Sequence, residues 1–293
     1  MAARSPRPKF VVIVGPTASG KSDLAIRVAK EFNGEIISAD SLTIYKKMDI
    51  GTAKPTKSEQ KAAMHWGFDL VGPRQRFTAA DFKRYAEARI ADIRTRNRLP
   101  IVVGGTGLYI DALVFDFSFG QPAQPGQRQK LNKMSTEQLQ KKIKEAGYPM
   151  PDNHQNRRHL IRTIERAGQA GGKAKRLPAG VIMVGLLPPD KVLKNKISRR
   201  VDKMFRDGLM AETKALASQY GSKSLLAKAK VAYGPVIELL ADRLSQEEAA
   251  QGLKIAHWQY ARRQKTWFRR NKFIQWFDST DLAQAYIKEQ LNT

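Results

Sequence analysis

The sequence predicts an α/β protein with a mostly parallel sheet flanked by helices and a mostly helical insertion. Three observations carry this prediction. Short apolar runs alternate with longer amphipathic segments over the first hundred residues, the pattern of βαβ units. A glycine-rich segment joins the first apolar run to the first amphipathic one. Finally, residues 121–178 contain no strand-like run, and an apolar run resumes directly after them.

The strands of the predicted sheet are short apolar runs that read as buried strands. They occupy 10–14, 35–38, 99–103 and 180–187, with 68–71 as a further candidate. Helices are predicted over 22–32 and 78–96, because apolar residues recur there every three or four positions. Long amphipathic helices follow from Lys191 onward.

A change of composition at Gly120 marks the predicted insertion. Pro122, Pro125 and Gly126 form a hinge-like segment. Residues 121–178 carry 13 Lys and Arg against 4 Asp and Glu, with helical patterns at about 127–146 and 156–168. We therefore predict a core formed by 1–120 and 179–293, with 121–178 as a basic helical insert.

The chain is strongly basic. Among 293 residues, 52 Lys and Arg face 27 Asp and Glu, a net charge of +25. Such an excess favours a polyanionic partner, which could be nucleic acid, an anionic membrane surface or phosphorylated substrates; a solubilising surface is the alternative. The absence of Cys excludes disulfides, thiolate catalysis and Cys-based zinc sites. No apolar run reaches 18 residues, so no membrane span is expected, and a cytoplasmic location fits.

The strongest motif lies between the first strand and the first helix and fits the phosphate-loop pattern G-x-x-x-x-G-K-[ST]. Its backbone N–H groups and the helix N-terminus would cradle phosphate oxygens, the lysine would reach the outer oxygens, and the final serine would ligate Mg²⁺. The motif predicts binding of a di- or triphosphate on a P-loop NTPase-like core. Its residues are Gly15, Pro16, Thr17, Ala18, Ser19, Gly20, Lys21 and Ser22.

A carboxylate follows the second predicted strand. Asp40 would lie beside the phosphate loop, since the carboxyl ends of neighbouring parallel strands share one edge of the sheet. It could contact Mg²⁺ indirectly or act as a general base. Capping a turn or helix is the structural alternative, and position alone leaves these possibilities open.

Several segments together resemble the tRNA dimethylallyltransferase family. The segment DSLTIYKKMDIGTAKP begins at Asp40, and GPTASGKS is the family's form of the phosphate loop. VGGTGLYI, FTAADF and ARRQKTWFR are similar to three further family segments, and the matches run from about residue 11 to 278. The chain departs from the family pattern at His65-Trp66, at His159 and at Ala232-Tyr233-Gly234.

This resemblance implies a transfer reaction on tRNA. The dimethylallyl group of dimethylallyl diphosphate would move to the exocyclic N6 amine of the adenosine just 3′ of the anticodon, position 37, in tRNAs that read codons beginning with U. The phosphate loop would hold the diphosphate leaving group rather than ATP, with Mg²⁺ bound through Ser22. The family is usually monomeric, which implies a monomer here.

The resemblance also implies roles for single residues. Asp40 would be the general base, Thr106 would contact the amine or Asp40, and Arg200 would contact the diphosphate, although the adjacent Arg199 remains an alternative. Binding of tRNA is implied for Asp40, Ser41, Leu42, Thr43, Thr106, Arg128, Arg158, His159, Arg162, Arg262, Arg263 and Gln264. The aromatic residues Trp267 and Phe268 are expected in the core, since aromatics at helical spacing usually pack inside.

Two other functions use the same phosphate loop. A small-molecule or nucleotide kinase would bind ATP there, and the helical insert would then resemble an arginine-rich lid. Such a kinase needs neither a net charge of +25 nor the ARRQKTWFR segment. A non-catalytic RNA-binding ATPase would need a second acidic metal site after an apolar strand, whereas the strand at 99–103 ends in Gly-Gly-Thr.

Overall fold

The computed structural model describes residues 10–119, 126–168, 172, 174 and 176–292. The chain forms two compact units. Met1–Val114 and Leu177–Thr293 make up the core unit, and Phe115–Arg176 forms the inserted unit, where the sequence had suggested bounds of 121–178. The predicted hinge prolines, Pro122 and Pro125, lie outside the described residues.

The core unit is built on a six-stranded sheet in which every neighbouring pair of strands is parallel. This confirms the predicted α/β class. The strand order is β3-β2-β4-β1-β5-β6. The strands are β1 (Phe10–Val14), β2 (Gly34–Ser38), β3 (His65–Trp66), β4 (Leu99–Gly104), β5 (Val181–Leu186) and β6 (Gln275–Phe277).

Helices bury the sheet, which explains why its central strands read as continuous apolar runs. Helices α1 and α12 pack on one face, where Leu24 and Ile287 join strand residues such as Ile13 in one apolar cluster. Helix α3 packs against β2 and β4. The core-unit helices are α1 (Lys21–Glu31), α2 (Lys57–Ala62), α3 (Ala79–Thr95), α4 (Gly107–Val114), α8 (Asp190–Arg206), α9 (Leu209–Tyr220), α10 (Ser222–Leu239), α11 (Gln246–Phe268) and α12 (Thr280–Asn292).

The third strand in the chain differs from its prediction. The candidate at 68–71 was wrong: the strand is His65–Trp66, and Val71 makes only an isolated bridge to Tyr45. A tertiary contact explains the shift, because the Trp66 indole N–H donates to the buried carboxylate of Glu35 on β2 at 2.7 Å. The apolar pattern that suggested a strand at 68–71 could not show that Trp66 bonds to Glu35.

The inserted unit is helical, and its described residues contain no strand. The pattern at 127–146 divides into two helices because Ser135 caps a new helix through a reciprocal capping box with Gln138. Leu131, Leu139 and Leu160 contribute to a separate apolar cluster inside this unit. Its helices are α5 (Gln127–Asn132), α6 (Thr136–Glu145) and α7 (Arg157–Glu165).

None of the described helices is both long enough and apolar enough to cross a membrane.

Candidate active site

The phosphate loop connects β1 to α1 at the carboxyl edge of the sheet. Gly15 has φ +152°, and a Cβ there would lie 2.6 Å from the Leu186 carbonyl oxygen, so this position requires glycine. Gly20, with φ +101°, precedes α1 and has no side chain to cap it. The first N–H groups of α1 therefore remain available to an anion.

Two cations accompany the loop. The Lys21 ammonium donates to the Pro16 carbonyl oxygen at 3.2 Å, and the Arg200 guanidinium on α8 donates to the Thr17 hydroxyl at 3.0 Å. Burial lowers the pKa of Lys21 to about 8; the nearby Arg200 charge adds to this, and Asp40 opposes it. Burial also lowers the pKa of Arg200. Because neither cation is seen to donate to a carboxylate among the described residues, the loop carries positive charge that an anionic ligand would neutralise.

The structure separates the two candidate arginines of α8. Arg200 points to the loop, whereas Arg199 is exposed on another side of the helix. Sequence alone could not distinguish two neighbours that differ by only about 100° around a helix.

The loop also contains an unsatisfied hydroxyl. Ser19 is 4% exposed, and its Oγ has no hydrogen-bond partner among the described residues. A buried hydroxyl without a partner is costly, so a ligand oxygen at this point would satisfy it. The donors around the loop therefore fit a diphosphate.

The oxygen atoms at this edge of the sheet are of the kind that bind Mg²⁺. The Ser22 hydroxyl is exposed at the start of α1, and hydroxyl, phosphate and water oxygens suit Mg²⁺. The described residues contain no group of three or more His, Cys, Asp or Glu that could hold a metal by themselves. Any Mg²⁺ here would therefore depend on oxygens of the bound diphosphate.

Asp40 follows β2, and the end of β4 separates it from the phosphate loop along the sheet edge. One carboxylate oxygen, Oδ1, accepts the Leu42 backbone N–H at 2.9 Å. That bond holds the carboxylate in a defined orientation. Asp40 therefore does cap its turn, as the structural alternative predicted. Its negative charge also acts on Lys21 and Arg200, whose pKa values it raises against the effect of burial.

The turn after β4 contacts the neighbouring segment after β2. The Thr106 hydroxyl accepts the Ser41 backbone N–H at 2.9 Å and donates to the Ser41 hydroxyl at 3.2 Å. Its own N–H donates to the Ala39 carbonyl at 3.2 Å. Thr106 therefore braces the turn that contains Asp40, and its hydroxyl bonds to Ser41 rather than to the Asp40 carboxylate.

Two other residues of the predicted RNA-contacting turn are largely internal. Thr43 is buried, and its hydroxyl lies 3.1 Å from that of Ser38. Leu42 packs against an apolar cluster that includes Ile44. Among residues 41–43, Ser41 and Leu42 keep part of their surface exposed.

Helix α11 ties the phosphate loop to the turn after β4. The buried amide of Gln264 accepts the Thr17 N–H at 2.8 Å and donates to the Gly105 carbonyl at 3.0 Å. Predicted as an RNA contact, Gln264 instead has both ends of its amide bonded to protein backbone. Sequence reasoning could not foresee this, because the contact depends on where α11 crosses the sheet edge.

Tyr260 is a site residue that sequence reasoning missed. Its hydroxyl lies close to the side chains of Thr106 and Gln264, and burial together with the Asp40 charge raises its pKa. The available signal was its spacing: Tyr260 lies one helical turn before Gln264 on the same side of α11.

Glu212 was also missed and supports the segment after Asp40. Its carboxylate accepts three consecutive backbone N–H groups, those of 49–51, at 2.8 to 2.9 Å, and the Tyr233 hydroxyl at 2.9 Å. Lys54, nearly buried, donates to Asp49, Asp69 and the Tyr45 carbonyl. These contacts hold the IGTAK segment, residues 50–54, in a fixed conformation.

Helix α11 also carries two exposed arginines, one of which lies beside Tyr260. Arg262 and Arg263 are both exposed, as an RNA contact requires, and the Arg263 guanidinium lies 5.7 Å from the Tyr260 ring centroid. Phe268 is completely buried, as expected. Trp267 is not: it exposes 36% of its surface.

In the inserted unit, the four predicted RNA contacts fall into two groups. Arg128 makes two bonds of 2.6 Å to the Glu165 carboxylate, which Arg162 approaches at 3.4 Å. Arg158 and His159 are exposed at the start of α7. The first pair is engaged within the protein, and the second pair is accessible.

Comparison with known proteins adds independent information. The model of the IPP transferase family matches residues 43–271, and that of the isopentenyl transferase family matches residues 8–66. A tRNA dimethylallyltransferase of Geobacillus thermodenitrificans is 38% identical over 96% of this chain and 93% of that protein.

Two solved structures resemble the whole chain. The tRNA isopentenylpyrophosphate transferase of Bacillus halodurans is 34% identical, with a TM-score of 0.73 over 98% of this chain and 97% of that one. The corresponding transferase of Staphylococcus epidermidis is 32% identical, with a TM-score of 0.70 over 98% and 99% of the two chains. The chain therefore belongs to the tRNA dimethylallyltransferase family, the IPP transferases, and is an enzyme of that family.

Proposed function

We propose that this enzyme transfers a dimethylallyl group from dimethylallyl diphosphate to the N6 amine of adenosine 37 in tRNAs that read codons beginning with U, acting as a monomer. The observation that carries this proposal is the order of groups along the carboxyl edge of the sheet. Asp40 follows β2, Thr106 follows the neighbouring β4, and the phosphate loop follows β1, next to β4. A carboxylate and a diphosphate cradle thus lie at the same edge of the sheet, with one strand, β4, between them.

The diphosphate leaves in the first half of the transfer. As the bond between the allylic carbon and the diphosphate oxygen breaks, negative charge accumulates on the leaving group. Lys21, Arg200 and the uncapped N–H groups of α1 would stabilise that charge, a contribution that typically amounts to several kcal/mol. Mg²⁺ held by Ser22 and the diphosphate would neutralise further charge.

The amine attacks in the other half. An adenine amine is a weak nucleophile because its lone pair is delocalised into the ring. As the new carbon–nitrogen bond forms, the amine becomes acidic, and Asp40 would accept its proton. Such general base catalysis is typically worth about 10²- to 10⁴-fold in rate. Thr106 would orient the Asp40 turn through Ser41.

The target adenine must leave its stack to reach this edge, at a cost of a few kcal/mol. An anticodon loop suits such recognition, since its bases are single-stranded. We propose that Arg262 and Arg263 contact its phosphates, together with Arg158 and His159 of the inserted unit. An open cleft of about 640 Å³ in the inserted unit supports that role, since amide and arginine side chains line it. Its lining includes Asn132, Asn153, Gln155, Asn156, Arg157 and Arg158.

The direct test mixes purified protein, Mg²⁺, dimethylallyl diphosphate labelled in the allyl group, and an anticodon stem-loop with adenosine at position 37. We expect label in that RNA and none in the same RNA with purine riboside at position 37, which lacks the exocyclic amine. A parallel reaction with labelled ATP and no RNA tests the kinase alternative. Label absent from RNA, together with phosphorylation of a small molecule, would overturn the proposal.

The base is tested by Asp40→Asn, which keeps size and the Leu42 contact but cannot accept a proton. We expect transfer to fall by about 10²- to 10⁴-fold, with diphosphate affinity little changed. Asp281→Asn, on the exposed start of α12, is the matched control. Full activity in Asp40→Asn would remove Asp40 as the base.

A further inference from the structure

Trp267 differs from the other large aromatic residue at the end of α11. Phe268, the next residue, is fully buried, whereas Trp267 keeps 36% of its surface exposed. Leaving part of an indole in water forgoes some of the free energy of its burial. Because single exposed apolar residues are common on protein surfaces, the role of Trp267 follows from how its ring is held and from its neighbours.

The Trp267 ring is held in one orientation. Its indole N–H donates to the Asp111 carboxylate on α4 at 2.8 Å. Its inner side lies so close to Gly107 that a Cβ on that residue would be 2.1 Å from Cδ1 of the ring. The inner side is thus fixed by the protein, and the remaining exposed surface is available to a ligand.

The ring lies on the same side of α11 as two residues of the candidate active site. Tyr260, Gln264 and Trp267 recur at four- and three-residue spacing on α11 and contact three consecutive residues of the turn after β4. The Tyr260 hydroxyl lies close to Thr106, Gln264 donates to the Gly105 carbonyl, and Trp267 packs on Gly107. The indole therefore contacts Gly107, the residue that follows Thr106, and Thr106 braces the turn that contains Asp40.

The charge around this ring suits a nucleic acid. The guanidinium of Arg270 lies 5.7 Å from the Trp267 ring centroid, and Arg263 lies at the same distance from the Tyr260 ring. Arg269 and Arg270 are exposed. Fixed aromatic rings next to exposed arginines form the type of surface on which single-stranded bases stack.

We infer that Trp267 is a stacking platform for a nucleotide directly adjacent to the acceptor adenosine. This inference rests on the proposed function and specifies how the RNA is held there. When one base is flipped out, each neighbour loses a stacking partner. An indole beside the acceptor turn replaces that partner, which stabilises the flipped state without reading sequence.

The competing role is purely structural: Trp267 would only brace Gly107. A double-mutant cycle between protein and RNA separates the two. Trp267→Met retains apolar volume against Gly107 but has no flat ring, and Trp267→Phe retains a ring. Each variant is measured for affinity to stem-loops that are intact, abasic at position 36 or abasic at position 38. Thermal denaturation and the KM for dimethylallyl diphosphate are measured alongside.

Stacking on an aromatic side chain supports about a 5- to 150-fold change in affinity. We expect Trp267→Met to weaken binding of intact RNA within that range, and Trp267→Phe to weaken it much less. On one of the two abasic RNAs, wild-type affinity should be reduced similarly, and Trp267→Met should cost almost nothing more. Leu282→Ala, an exposed apolar residue on α12, is the control and should leave all affinities unchanged.

An equal loss for Trp267→Met on all three RNAs would overturn the inference, as would a rise in the diphosphate KM with no change in RNA affinity. Failure of this inference is distinguishable from failure of the proposed function, because the cycle measures binding only. If the enzyme transfers the dimethylallyl group but the cycle shows no coupling between Trp267 and a nucleotide, only the stacking role is rejected. If the cycle shows coupling but no transfer is detected, only the proposed reaction is rejected.

Discussion

The core unit and the inserted unit both carry surplus positive charge, but an arginine in each has a different kind of partner. In the core unit, Arg200 donates to a neutral hydroxyl of the phosphate loop, that of Thr17. In the inserted unit, Arg128 meets the carboxylate of Glu165, which is 2% exposed, through two bonds of 2.6 Å. One arginine retains a charge for a ligand, and the other has already been neutralised.

This contrast shows that charge counted along a sequence mixes two kinds of residue. The insert has a net charge of +9 over 121–178, yet two of its four predicted RNA contacts serve the Glu165 ion pairs. In the core unit, by contrast, one lysine and one arginine at the loop account for the anion site. What distinguishes the two kinds is the partner, and the partner is set by tertiary structure.

The largest expected effect tests Arg200 as a ligand-facing charge. Arg200→Ala should lower kcat/KM by about 10²- to 10³-fold, the usual cost of removing one donor to a developing anion. Stability should change little, because Thr17 is the only side chain among the described residues seen to accept a bond from it. Arg199→Ala, at the exposed neighbour, is the matched control. Equal losses in both variants would show that the structure misassigns the two arginines.

Arg128 should behave in the opposite way. Arg128→Ala leaves the buried Glu165 with Arg162 alone, so we expect a loss of about 1–3 kcal/mol in the free energy of unfolding; this is less than for a fully buried pair, since Arg128 itself is partly exposed. Urea denaturation, with hydrogen exchange in α7, measures it. Diphosphate affinity should be unchanged. An unaltered unfolding curve with weaker RNA binding would instead make Arg128 an RNA contact.

The same ion pair has a pH signature. Burial raises the pKa of Glu165, but the bonds and charges of Arg128 and Arg162 outweigh it, so the pKa is lowered overall. Its folded-state pKa therefore lies below the unfolded value of about 4.3. The stability contribution is present above that value and is lost as the pH falls through the folded-state pKa. Acid unfolding monitored in α7 should lose this component in Arg128→Ala.

A smaller effect is expected on the pH dependence of diphosphate affinity, through Lys21. In the free protein, burial lowers the pKa of Lys21 to about 8, and a bound diphosphate would raise it again. Binding is therefore coupled to proton uptake, so affinity should be constant below pH 8 and fall by up to about tenfold per unit above it. Calorimetry with dimethylallyl diphosphate from pH 7 to 9.5 measures this. Lys21→Arg, which stays protonated, should remove the slope; a slope that persists would assign it to another group.

How far the sequence predicts this site depends on whether its parts are joined by the chain or by tertiary contacts. The phosphate loop is contiguous, so its motif predicts its place between β1 and α1. Asp40 and Thr106 follow neighbouring parallel strands, and the rule that strand ends share an edge brings them together. Tyr260 and Gln264 reach that edge only because α11 crosses it, and no local pattern encodes the crossing.

The same distinction explains the errors in the fold. Capping chemistry divides the helix expected at 127–146, and the Ser135–Gln138 pair was readable in the sequence. The strand at His65–Trp66 was not readable, since it depends on the buried carboxylate of Glu35. The acid that neutralises Arg128 lies 37 residues away along the chain and became visible only in the folded unit.

The smallest expected effect concerns the exposed arginines of α11, Arg262 and Arg263. Each phosphate contact contributes about 0.7 to 0.9 to the slope of log affinity against log salt. Arg262→Gln and Arg263→Gln should each reduce the slope for stem-loop binding by that amount, with loss of affinity at low salt for every RNA sequence. Arg84→Gln, an exposed arginine paired with Asp81 on α3, is the control. If the α11 variants left the slope unchanged while an Arg158→Gln variant lowered it, the RNA phosphates would be held by the inserted unit alone, and the core unit would use its positive charge only for the diphosphate.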